Sequence, residues 1–75
     1  MKTLAEIKST LELALGSPAL FSLVNTRIML KTGVDLGSIR EAEDKSPDSV
    51  QKVITALASM GYSAETLVRV ARRKG

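Results

Sequence analysis

Few residue types in this chain could act on a substrate. The 75 residues include no histidine and no cysteine. That removes the usual neutral-pH general base, the thiolate nucleophile and the soft or imidazole ligands of a zinc site. Carboxylates cluster at Glu41, Glu43 and Asp44, but Gly37 precedes them instead of falling among them as an EF-hand loop requires. No apolar stretch adjoins them to raise a pKa, so they read as a solvated acidic loop. There is no Gly-rich phosphate loop and no HExxH-type spacing. No catalysis is expected, and with it no metal, cofactor or small-molecule substrate. What remains is a run of cations near the C-terminal end, Arg69, Arg72, Arg73 and Lys74. Such a run suits phosphate contacts. It also suits any helix C-terminus, where the dipole favours positive charge without a ligand. Both readings stand at this point.

The charge is unevenly distributed. Lys2, Lys8, Arg27 and Lys31 outweigh Glu6 and Glu12 in residues 1–34, while Asp35, Glu41, Glu43, Asp44 and Asp48 outweigh Arg40 and Lys45 in residues 35–48. Residues 49–75 are basic again, with Lys52 and the four terminal cations against Glu65 alone. The net charge is +3, and the chain has an acidic middle and a basic end. Glu6, Lys8 and Glu12 break any apolar run at the N-terminus, which argues against a signal peptide. No window approaches the roughly 20 apolar residues of a membrane span. A cytoplasmic location is the expectation.

These residues must be positioned by helices. Aromatics are limited to Phe21 and Tyr62, and an apolar set of Leu, Ile, Val, Met and Ala favours helix on helix over a sheet. Thr3 with Glu6 forms a capping-box start, followed by Leu4, Ile7, Leu11, Ala14 and Leu15 at helical spacing and by Gly16 as a stop. Leu13 falls about half a turn away from Leu4 at ~100° per residue, placing it on a second contact surface. Ser17-Pro18 begins the next helix. Leu20, Phe21, Leu23, Val24, Ile28 and Leu30 leave only Ser22, Asn25 and Thr26 as a polar strip. That wide apolar arc predicts a central helix buried against more than one neighbour.

Near 35–40 a short helix or turn is expected, with Leu36 and Ile39 inward and Asp35 as cap. Ser46-Pro47 repeats the Ser-Pro start, and Val50, Val53, Ile54, Leu57 and Met60 form the clearest stripe in the chain. Gly61 stops it. Ser63 caps a last helix whose apolar positions are Leu67, Val68, Val70 and Ala71. The expected fold is therefore one all-α domain over residues 1–75, a compact bundle of helices at about 3–15, 18–32, 47–60 and 64–74.

Over residues 50–74 the pattern of Ala56, Met60, Gly61, Tyr62, Leu67 and Val70 resembles the helix-turn-helix DNA-binding family. Gly61 takes the place of the turn glycine. The resemblance implies that the last helix enters a major groove. Ser63, Ala64, Thr66 and Arg69 would then face the bases, and Arg72, Arg73 and Lys74 would grip the phosphate backbone. Leu57 departs from the small residue usual in that family where the two helices cross. A second resemblance uses the same turn. Leu57 to Tyr62 is similar to the Met-Gly-Phe/Tyr loop of ubiquitin-associated domains, which implies protein docking through Met60, Gly61 and Tyr62; Leu13 offers a further apolar contact. Leu36-Gly37-Ser38-Ile39 only loosely resembles the Asp-Ser-Leu motif of acyl carrier proteins, with Gly37 at the Asp position. The expected function is DNA binding, as a homodimer or within a larger assembly. The alternative is a protein-interaction module with no catalytic activity.

Overall fold

The structure, a computed structural model, describes residues 3–38 and 47–74. Its elements are α1 (Leu4–Leu15), α2 (Pro18–Thr32), a 3-10 turn at Leu36–Ser38, α3 (Pro47–Ser59) and α4 (Ala64–Lys74). The fold is an all-α bundle. Local chemistry sets the helix ends as the sequence predicts. The Thr3 and Ser17 hydroxyls accept hydrogen bonds from the amides of Glu6 and Leu20, at 3.1 and 3.4 Å, satisfying amides that have no partner within the first turn. The acidic run from residue 40 to 45, together with Ile39 and Ser46, lies outside the described residues.

α1 packs chiefly along α4, and α2 along α3; α1 also touches α2 and the 3-10 turn. α3 and α4, though adjacent in sequence, touch each other less. The centre is filled by Ile7 and Leu11 of α1, Ile28 of α2, Leu36 of the 3-10 turn, and Val53 and Leu57 of α3, all fully buried. Leu4, Val24, Leu67 and others complete the same cluster. Burying each such side chain contributes ~1.5–3 kcal/mol, and aliphatic packing is the main source of stability in a chain without disulfides.

α3 ends one residue sooner than its apolar stripe suggests. The amide of Tyr62 donates to the Leu57 carbonyl at 2.8 Å and that of Gly61 to the Ala58 carbonyl at 3.1 Å. This is the paired-bond pattern of a Schellman cap. It requires a left-handed residue, and Gly61 supplies it with φ of +88°.

α2 differs from expectation in which face it buries. The wide apolar arc predicts burial on several sides, yet Val24, Asn25 and Ile28 are the buried positions while Leu20, Leu23, Met29 and Leu30 are exposed. The physical reason lies in Asn25. Its amide donates to Asp35 Oδ1 at 2.8 Å and its carbonyl oxygen accepts from the buried Leu36 amide at 2.9 Å. Asp35 in turn accepts from the Gly37 amide at 2.9 Å and the Ser38 hydroxyl at 2.7 Å. Turning Asn25 inward secures the 3-10 turn and its buried Leu36, and it rotates part of the leucine arc toward solvent.

Candidate functional site

Ser63 begins α4 and uses its hydroxyl locally. The oxygen accepts from the Thr66 amide at 3.3 Å, and the hydroxyl donates to Thr66 Oγ1 at 2.8 Å. Both side chains are exposed at the helix start. Leu67 and Ala71 face the core, with Val68 and Val70 half-buried. At ~100° per residue, this inner face leaves Glu65, Thr66, Arg69, Arg72 and Arg73 on the outward arc, where all five are exposed. Ala64 lies at its edge and is half-buried.

Three arginines thus share one face. Arg69 donates to Glu65 Oε1 at 3.1 Å, an exposed i,i+4 pair of the kind worth only ~0.3–0.5 kcal/mol. No carboxylate among the described residues pairs with Arg72 or Arg73. Ala64, Glu65, Val68, Arg69, Arg72 and Arg73 line a shallow open groove along this helix.

Lys74 is separated from that set. Its ammonium donates to the Ala14 carbonyl oxygen at 3.0 Å, capping the end of α1, where carbonyls lack helical partners. Gly16, at φ +67°, makes room: a Cβ there would come within 2.9 Å of Lys74 Nζ. Of the four cations expected to contact DNA, Arg69, Arg72 and Arg73 are presented outward, while Lys74, expected on the phosphate backbone, is engaged within the fold. Glu65 is the residue on this face that the sequence pattern of basic positions overlooked, although its spacing to Arg69 signals the pair.

The residues of the alternative reading lie elsewhere. Met60 and Tyr62 are half-buried and pack against the core, and Gly61 is the cap glycine between them. Leu13 is half exposed and borders a hollow of about 450 Å³ with Pro18, Phe21 and the Lys74 side chain. The structure does not bring Leu13 together with the Met60–Tyr62 turn in that hollow. At the crossing of α3 and α4, Leu57 is fully buried, and α4 rests on α1 more than on α3.

Among the described residues, no group of three His, Cys, Asp or Glu could hold a metal ion. No described helix is long and apolar enough to cross a membrane. No protein-family model matches the chain, and neither a curated protein nor a solved structure matches it.

Proposed function

We propose that the protein binds double-stranded DNA through the outward face of α4, the last helix of its helix-turn-helix-like unit. The observation that carries this reading is the placement of Arg69, Arg72 and Arg73 on one exposed arc, with Arg72 and Arg73 unpaired among the described residues. Guanidinium groups left without carboxylate partners are available to phosphate oxygens, which they bind in a forked geometry. The exposed N-terminal turn of α4, with Ser63 and Thr66, is the part of such a helix that reaches base edges. Docking through Met60 and Tyr62 has less support, because both side chains already pack on the core.

With Lys74 engaged at Ala14, three cations rather than four count toward phosphate neutralisation. The slope of log K against log salt should then be about −2.7. Fluorescence polarisation with a random duplex at about 50 and about 200 mM salt tests this. Arg72→Ala and Arg73→Ala should each weaken binding and flatten the slope by about 0.9. The absence of binding at the lower salt, or binding indifferent to Arg69→Ala and Arg72→Ala, would reject the reading.

A further inference from the structure

Away from the outward face of α4, three helices meet at the hollow of about 450 Å³. Glu12 and Leu13 of α1, Pro18 and Phe21 of α2, and Lys74 of α4 border it, with Gly16 between the first two helices. Its volume falls within the ~300–1,000 Å³ of small-ligand sites. Leu13, Pro18 and the half-buried Phe21 give it an apolar wall. Two residues of opposite charge, Glu12 and Lys74, border the same space. They do not pair. Lys74 donates instead to the Ala14 carbonyl oxygen at 3.0 Å, over a Gly16 whose missing Cβ leaves room for the ammonium. An ammonium has three donors, so the bond to Ala14 fixes its position and leaves two N–H groups for another acceptor. The Glu12 carboxylate takes no hydrogen bond among the described residues.

The hollow thus offers an anchored cation, an unpaired anion and an apolar wall. An apolar acid would answer the cation and the wall but set its carboxylate beside Glu12. A zwitterion with an apolar group answers all three. We propose that the hollow binds a free apolar α-amino acid. The ligand carboxylate accepts from the two remaining N–H groups of Lys74, and the ligand ammonium donates to Glu12. The ligand side chain lies on Leu13, Pro18 and Phe21. Glu12 and Lys74 are exposed, and charged contacts open to solvent are modest, so a Kd of about 0.1–1 mM is expected.

A heteronuclear NMR titration of the full chain with L-leucine and L-phenylalanine, without DNA, tests this. Saturable shifts are expected at the amides around Gly16 and at Lys74. N-acetyl-L-leucine lacks the ammonium and L-leucinamide lacks the carboxylate, so each should bind about tenfold more weakly than L-leucine. Glycine, with no apolar group, should show no saturation by about 10 mM. Glu12→Gln should lower L-leucine affinity about tenfold without weakening N-acetyl-L-leucine. Lys74→Met should do the same to L-leucine without weakening L-leucinamide. Glu12 is exposed and unpaired, so its variant keeps the fold and reads the site even where Lys74→Met costs stability. Shifts that fail to saturate by about 10 mM L-leucine or L-phenylalanine, analogues that bind as tightly as L-leucine, or a Glu12→Gln variant with unchanged L-leucine affinity would overturn the proposal. None of these outcomes bears on whether α4 binds DNA.

Discussion

The Lys74 ammonium donates to the Ala14 carbonyl oxygen across a separation of 60 residues, tying the last turn of α4 to the last turn of α1. Lys74→Met keeps the stem and removes the donor. It should cost about 1 kcal/mol in urea unfolding, the usual net worth of such a bond, and leave duplex affinity within about twofold, because this cation does not lie on the outward face. A large loss of affinity with no loss of stability would contradict that placement.

Gly16 should be coupled to Lys74. Gly16→Ala places a methyl within 2.9 Å of Lys74 Nζ and forces alanine into a left-handed backbone. The backbone term alone is about 1–2 kcal/mol. In a double-mutant cycle the alanine should be less costly when Lys74→Met is already present. Additive costs would show that the contact carries no energy.

Asn25 is the polar residue on which the fold depends most. Asn25→Ala removes both bonds to the Asp35–Leu36 turn and leaves the buried Leu36 amide unpaired. A loss of about 2–3 kcal/mol is expected by thermal or chemical unfolding. Ser22→Ala, on the exposed side of the same helix, should change stability by less than about 0.5 kcal/mol.

The same turn predicts an acid dependence. Hydrogen bonds from Asn25 first, then from Ser38 and Gly37, hold the Asp35 carboxyl below its ordinary value. The unfolded chain therefore binds this proton more readily than the folded one. The resulting stabilisation is present above the ordinary aspartate value of about 3.9 and is lost as pH falls through the lower folded value. Asp35→Asn should remove this part of the acid sensitivity, measured as stability against pH from neutrality downward.

Glu65 opposes the arginines in the proposed DNA contact. Glu65→Gln releases Arg69 and removes a negative charge from the outward face of α4. Duplex affinity should rise about three- to tenfold at low salt, while stability changes by less than about 0.5 kcal/mol. An unchanged affinity would place the binding surface elsewhere.

The helix ends were legible in the sequence because their causes are local. Thr3, Ser17 and Ser63 cap the turns they begin, and Gly16, Gly33 and Gly61 all adopt positive φ. Helix orientation was only partly legible. A leucine-rich α2 looks buried on most sides, and nothing within the helix shows that Asn25 turns inward; its partners lie 10 and 11 residues further on. Lys74 is the stronger case. Seven residues after Leu67 and three after Ala71, it falls on the inner side of its helix at ~100° per residue, but its acceptor on α1 lies 60 residues away. Charge alone identified the basic helix but not which cation the fold would use.

The packing of α4 along α1 ties the completion of the core to a contact between elements far apart in sequence. α1 touches α2 and the 3-10 turn, but its main partner is α4, the described element furthest from it along the chain. Closing that long loop comes before the reward of the contact. The helix pair α3–α4 has little mutual contact with which to hold itself together in the meantime. The arginine-bearing helix thus leans on the same contact that covers most of α1, and disruption of the α1 face should loosen α4 as well.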